Sequence, residues 1–146
     1  MKKLKIEAKI ENLAEVTSFI ETEFESIECK PKVIMQINLA VEEIFVNIAH
    51  YAYGKKDSSG RVIPDTGTGP VEIIAGLEGE NIKLTFIDEG TEYNPLQKED
   101  PDITLSAEDR GVGGLGIFMV KKTMDEISYT YESGKNILTL IKKIVD

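Results

Sequence analysis

Glu43 and Asn47 are two polar residues four positions apart whose types could do chemistry together. On a helix, residues at this spacing lie one above the other on the same face. The amide oxygen of Asn47 can bind a hard cation such as Mg²⁺, and the carboxylate of Glu43 can hold a water molecule or accept a proton. The simpler alternative is that both side chains belong to the solvated face of an amphipathic helix.

The segment that carries this pair has the apolar spacing of a buried helix. Apolar residues recur at intervals of three and four positions, which predicts one face packed against a core. Pro31 suits the first turn of this helix, and Gly54 is expected to end it. The apolar positions are Ile34, Ile37, Val41, Ile44 and Ile48.

A second candidate site is the segment Asp88-Glu89-Gly90, which directly follows a β-rich run. An acid at the end of a strand can accept a hydrogen bond from an exocyclic amine such as that of adenine. A glycine beside it allows a flat ring to approach the backbone. In isolation, the same segment also suits an ordinary surface turn.

A third candidate site is the glycine-rich run GVGGLG at positions 111–116, ahead of a predicted helix. It matches G-x-G-x-x-G, but the preceding residues TLSAEDR do not form a strand, so the dinucleotide fingerprint is rejected. The accompanying motifs of a protein-kinase glycine loop are absent as well. Glycines at a helix N-terminus leave backbone N–H groups open to a phosphate. A flexible linker is the alternative, which the apolar Leu115 and Ile117 disfavour.

Apolar periodicity elsewhere predicts the order β-α-α-β-β-α-β-β in a single domain, residues 1–146. Asn12 and Glu15 are expected to form a capping box for the first helix. Tight turns between consecutive strands favour a mixed, mostly antiparallel sheet with three helices on one face, a two-layer α+β sandwich. Strands are expected near 4–10, 71–77, 82–87, 127–131 and 137–144, and helices near 13–26, 31–53 and 117–124. The polar segments 55–70 and 96–110 are expected to be long loops, the first of them mobile and without an assigned role.

The composition is that of an ordinary globular protein, with 41% hydrophobic and 29% charged residues. A net charge of −9 argues against binding to a nucleic-acid backbone; it could suit a basic protein partner, although acidity more often maintains solubility. Cys29 is the only cysteine, which excludes a disulfide framework and fits a reducing compartment. The N-terminus lacks the apolar core of a signal peptide, and no stretch approaches a membrane span. We therefore expect a cytoplasmic protein without a membrane partner.

The candidate sites form three motifs in order: Glu43-x-x-x-Asn47, Asp88-x-Gly90-x-x-Tyr93-Asn94-Pro95 and Gly111-x-Gly113-Gly114-Leu115-Gly116. They resemble the N, G1 and G2 boxes of the GHKL ATP-binding superfamily, which has the Bergerat or histidine-kinase ATPase-like fold. The aromatic-Asn-Pro ending of the middle motif and the tail GGLGIFMVKKTMDEISY resemble one branch, the anti-sigma-factor serine/threonine kinases of bacteria. The resemblance extends from about residue 5 to residue 145.

The resemblance implies a role for each matching position. Asn47 would bind Mg²⁺ through its side-chain oxygen, and Glu43 would be the general base for the attacking hydroxyl. Asp88 would recognise the adenine amine, and Arg110 would contact the γ-phosphate of ATP. The other cofactor-binding positions are Gly90 and Asn94 in the middle motif, and Gly111, Gly113, Gly114, Leu115 and Gly116 in the lid hinge and phosphate cradle.

The implied activity is that of an ATP-dependent serine/threonine protein kinase. Its expected partners are a sigma factor, which it binds, and an anti-anti-sigma (STAS-type) protein, which it phosphorylates, and it is expected to form a homodimer. An ATP-dependent switch that binds a partner with little or no phosphoryl transfer is the alternative. The ATP-binding half of a sensor histidine kinase is disfavoured, because no helix pair with a phosphoacceptor histidine precedes the motifs. Many members of this branch have a histidine where this chain has Tyr51, and His50 is one position early, so His50 is expected to be a structural or surface residue without a catalytic role.

Overall fold

The computed structural model describes residues 1–97 and 114–144. The observed elements follow the predicted order, and α2 continues directly into a π-helical turn, Ile48–Ala52. Two short 3₁₀ turns, Ile10–Asn12 and Pro95–Gln97, precede α1 and follow β3. The helices are α1 (Leu13–Phe24), α2 (Pro31–Asn47) and α3 (Gly114–Thr123); the strands are β1 (Lys2–Glu7), β2 (Pro70–Glu78), β3 (Asn81–Asp88), β4 (Glu126–Glu132) and β5 (Lys135–Lys143).

The five strands form one sheet in the order β1-β2-β3-β5-β4, and every neighbouring pair is antiparallel. Two tight hairpins join β2 to β3 and β4 to β5. In the second hairpin, Ser133 and Gly134 have φ angles of 52° and 76°, the left-handed conformations that a two-residue turn between twisted strands requires. The predicted α+β class with antiparallel hairpins is confirmed.

The core lies between the helices and one face of the sheet. Side chains on β2, β3 and β5 alternate in burial, and the register places the buried ones side by side. Ile73, Phe86 and Leu138 form one such row. The central helix α2 contacts both α1 and α3 and buries Phe45 completely. Apolar residues that recur every second position in the strands and about every 3.6 positions in the helix thus produce the predicted two layers.

Several local predictions were wrong. Asn12 precedes α1 but forms no side-chain cap; its amide donates instead to the carbonyl of Glu7 at 2.9 Å, which ties the helix start to the end of β1. Helix α1 ends at Phe24 rather than near residue 26. The alternating pattern of the first strand stops at Ala8, because Ile10 lies in a 3₁₀ turn and is exposed.

Helix α2 with its π turn, Pro31–Ala52, is long and apolar enough to cross a membrane by length and composition alone. The expectation that no stretch approaches a membrane span was therefore too strict. In this fold, Ile37, Val41 and Ile44 of the helix are buried in the core, and the core helix of a soluble protein passes the same test.

Candidate nucleotide-binding site

A cavity of about 400 Å³ opens between the end of the sheet and the segment formed by α2 and its π turn. Ile44, Ile48 and Phe86 contribute to a largely apolar lining, into which Asn47 and Asp88 bring polar groups. An apolar cavity of this size with a few convergent polar groups is typical of a small-molecule site. Two of the three predicted motifs, the Glu43–Asn47 helix and the Asp88 turn, therefore meet at one cavity.

The polar end of the cavity is the last buried row of the sheet, where Val71, Asp88 and Asn136 lie side by side. Asp88 and Asn136 are the buried polar residues in the described part of the chain. The amide of Asn136 donates to Asp88 Oδ1 at 2.9 Å, and the backbone N–H of Gly90 donates to the same oxygen at 2.9 Å. These two bonds fix the orientation of the Asp88 carboxylate.

The other carboxylate oxygen of Asp88, Oδ2, accepts no hydrogen bond from residues 1–97 or 114–144. Asp88 lines the cavity, so Oδ2 is the carboxylate oxygen that remains for a ligand there. Burial raises the pKa of Asp88, and the bonds from Asn136 and Gly90 partly oppose that rise. An oriented acceptor at the end of an apolar cavity is suited to an exocyclic amine on a flat heterocycle.

Asn136 is a site residue that the sequence reasoning missed. Its amide also donates to the carbonyl of Thr91 at 3.0 Å, and its oxygen accepts the N–H of Tyr93 at 3.1 Å and the hydroxyl of Tyr129. Asn136 therefore holds both the Asp88 carboxylate and the turn after β3. A signal was available: Asn136 occupies an inward position in the alternating series of β5, and the other buried residues of that series, Leu138 and Leu140, are apolar.

Gly90 is required by a close approach of two backbone segments. A Cβ atom at this position would lie 2.2 Å from the carbonyl oxygen of Ala52, which also accepts the N–H of Thr91 at 2.8 Å. The turn after β3 is thus pressed against the end of the π turn. This reason differs from the predicted one, the approach of a flat ring to the backbone.

Glu43 and Asn47 are adjacent, as their spacing predicts. The Asn47 amide donates to Glu43 Oε1 at 3.4 Å, which leaves the amide oxygen of Asn47 for a cation at the cavity it lines. No cluster of three or more His, Cys, Asp or Glu side chains suited to a metal occurs among the described residues. A single amide ligand fits Mg²⁺, which keeps several waters and is shared with substrate phosphates.

The first turn of α3 packs directly on this pair. A Cβ atom at Gly116 would lie 1.9 Å from Glu43 Oε1, so a larger residue at this position would displace the end of the Glu43 side chain. Gly114 and Leu115 precede it in the same turn. Gly116, the last residue of the third motif, therefore lies against the Glu43–Asn47 pair.

The remaining predicted site residues have different outcomes. Asn94 accepts the N–H of Leu96 at 2.9 Å and caps the 3₁₀ turn; it does not line the cavity, and its contact with a nucleotide stays a prediction. Arg110, Gly111 and Gly113 lie outside the described residues. His50 contacts the side chain of Asp65 through its Nδ1 atom, and its lack of a catalytic role stays a prediction.

These features define a class of protein: an α+β domain with a nucleotide-sized cavity between a sheet-end carboxylate and a helix-borne acid–amide pair. A family model described as the histidine kinase-like ATPase domain matches residues 6–142, and the chain belongs to this family. The serine-protein kinase RsbW of Bacillus cereus (strain AH187) is 26% identical over 142 residues, covering 92% of this chain and 82% of the relative. The protein of the same name from Bacillus thuringiensis subsp. konkukian (strain 97-27) gives the same values.

A solved structure has the same fold. The RsbU and RsbW domains of a Mycobacterium tuberculosis protein match 99% of this chain with a TM-score of 0.59 and 18% sequence identity. At 18% identity this similarity shows the fold alone, and the present chain spans 33% of the length of the solved chain.

Proposed function

We propose that the protein is an ATP-dependent serine/threonine protein kinase of the anti-sigma type. It transfers the γ-phosphoryl group of ATP to a hydroxyl of an anti-anti-sigma (STAS-type) partner. The observation that carries this proposal is one cavity lined by Asp88 at the sheet and by Asn47 on the facing helix, with Glu43 hydrogen-bonded to Asn47. Relatives that are named serine-protein kinases support the type of reaction.

The described residues fit the two ends of ATP. Gly90 contacts Ala52, so Asp88 lies near the end of the π turn, whereas Asn47 lies more than one helical turn earlier. Asp88 would accept the adenine amine, and the Asn47 oxygen would bind Mg²⁺. When bound, Mg²⁺ neutralises charge on the phosphates. The first turn of α3 and its glycines would hold the phosphates through backbone N–H groups, with Arg110 at the γ-phosphate.

The transfer step uses Glu43 as the base. The partner's hydroxyl oxygen forms a bond to the γ-phosphorus, and the bond from that phosphorus to the departing oxygen of ADP breaks. Glu43 accepts the hydroxyl proton. The Asn47 amide bonded to Glu43 orients the carboxylate, and the packing of Gly116 restricts where it can move. Most of the rate enhancement would come from positioning and charge neutralisation.

Binding to a sigma factor, formation of a homodimer and a cytoplasmic location belong to the same proposal. They follow from the resemblance to partner-switching kinases, and the net charge of −9 is compatible with a partner that presents a basic surface. The sigma-factor and dimer components are tested by co-sedimentation of the protein alone and with the factor, with and without ATP.

The conservative substitution Glu43→Gln tests the proposed reaction. It keeps the size of the side chain and removes the base, so transfer of labelled phosphate from ATP to a STAS-domain protein should fall by at least about 100-fold. ATP affinity, measured by calorimetry on the same samples, should change by less than about threefold. A wild-type protein that binds ATP but transfers no phosphate would favour the alternative, an ATP-dependent binding switch.

A further inference from the structure

The segment 54–70, called the pocket loop below, is a folded unit rather than the mobile connection predicted from the sequence. Lys56 pairs with Val62 in an antiparallel bridge, and the N–H of Ile63 donates to the carbonyl of Lys55 at 2.7 Å. The tip is closed by the Asp57 carboxylate, which accepts the N–H groups of Ser59 and Arg61 at 2.8 and 3.0 Å. The loop therefore has a defined shape that its own hydrogen bonds maintain.

Further contacts fix the pocket loop to the end of the π turn. The hydroxyl of Tyr53 donates to the carbonyl of Pro70, and the ring lies so close to Gly69 that a Cβ there would approach it within 2.5 Å. The N–H of Asp65 donates to the carbonyl of His50 at 2.9 Å, and the two side chains are also in contact. Both arms of the loop are thus held against the segment that lines the cavity.

This arrangement brings one side chain of the loop to the cavity. Val62 lines it together with Tyr51 and Ala52, and its Cγ1 would lie 2.5 Å from a Cβ at Gly54. Ala52 is also the residue that contacts the turn after Asp88. Val62 therefore lies beside the end of the π turn, the part of the helix segment that contacts the turn after Asp88. Its neighbour Ile63 is 41% exposed and does not line the cavity.

We infer that the pocket loop forms a prebuilt apolar wall for the purine base and that Val62 is a base-contacting specificity residue. This inference rests on the proposed binding of ATP and extends it to a segment outside the three motifs. A branched apolar side chain packs well on the face or edge of a flat ring. The loop is held by its own hydrogen bonds and by contacts with Tyr53 and His50, so the contact with a base would require little ordering of the chain.

The inference predicts a distinct pattern of affinities. Adenine is common to ATP, ADP and adenosine, so Val62→Ala should weaken all three by a similar factor of about fivefold, from loss of apolar contact. The factor should be independent of Mg²⁺, because Val62 lies at the base end. Ile63→Ala, the matched control in the same loop, should leave all three affinities unchanged.

Calorimetric titration of the three ligands against wild type, Val62→Ala and Ile63→Ala, with and without Mg²⁺, tests the inference. Val62→Thr retains the shape of the side chain and is included as a variant that conserves the fold. Its affinity for each of the three ligands should lie between those of wild type and Val62→Ala. Wild-type affinity in Val62→Ala, or a loss confined to ATP with Mg²⁺, would overturn the role of Val62 and leave the proposed ATP site intact. No binding of any ligand by wild type would overturn both.

Discussion

At the scale of single residues, Asp88 has a cost to folding that its proposed role in ligand binding would explain. Its burial disfavours the charged form, and the donors from Asn136 and Gly90 recover only part of that cost. A buried carboxylate with one oxygen satisfied and the other open to a cavity is difficult to explain as a device for stability. Its geometry is explained if the open oxygen meets a hydrogen-bond donor on a ligand.

The substitution Asp88→Asn separates these two effects. The new amide side chain keeps an acceptor for Asn136 and Gly90 but places an NH₂ group where the open oxygen was, so affinity for ATP and adenosine should fall by about 10- to 100-fold. Because burial raises the pKa of Asp88 above its ordinary 3.8, the folded wild type loses stability as the pH rises through that raised pKa.

The amide in Asp88→Asn does not titrate, so the variant should gain in melting temperature relative to wild type as the pH rises from about 3 to about 7. Thermal melts across that range provide the measurement, and adenosine titration checks the site. A variant that binds adenosine as well as wild type does would contradict the role of Asp88.

At the scale of secondary-structure elements, periodicity determined what could be predicted. The strands and α2 were placed within a few residues, since each buries one face against a common core. The pocket loop has no periodicity, and its shape depends on contacts of Tyr53 and His50 with residues more than ten positions away, which local sequence does not encode. The role of Asn136 depends on the register between β3 and β5, which the alternating pattern within each strand does not specify.

Tyr53 joins two of these elements, and Tyr53→Phe measures the strength of that connection. The Tyr53 hydroxyl accepts the N–H of Glu89 at 2.8 Å and donates to the carbonyl of Pro70, so its removal leaves both groups without this partner. The free energy of unfolding, from urea titration, should fall by about 1–2 kcal/mol. Tyr131→Phe, an exposed tyrosine on β4, is the matched control and should change it by less than about 0.5 kcal/mol.

A pH dependence accompanies this prediction. Burial raises the pKa of Tyr53 to about 12, so the folded state keeps the hydroxyl protonated after the unfolded chain begins to ionise near pH 10. The stability that Tyr53 contributes should therefore be lost as the pH rises from about 10 to about 12, and wild type and Tyr53→Phe should converge over that range. A difference that stays constant up to pH 12 would contradict this role of the hydroxyl.

At the scale of the whole molecule, the two layers supply different halves of the site. The sheet provides Asp88 and Asn136, and the helix layer provides Glu43 and Asn47, with Gly116 of α3 packed on the acid. The cavity exists only where the layers meet, so a ligand that binds there should also stabilise the fold. The three motifs indicated the family from the sequence because each supplies a group that the geometry needs.

The most direct test of the central claim is calorimetric titration of ATP, with and without Mg²⁺, into wild type and Asn47→Ala. Wild type should bind with an affinity in the micromolar range that Mg²⁺ strengthens, and Asn47→Ala should lose that strengthening and bind Mg·ATP at least about tenfold more weakly. Adenosine, which lacks phosphates, should bind both proteins within about twofold, because the proposed role of Asn47 is to bind Mg²⁺ at the phosphates. No heat from wild type, or an Asn47→Ala variant that retains the full Mg²⁺ effect, would contradict the assignment of this cavity as a Mg·ATP site.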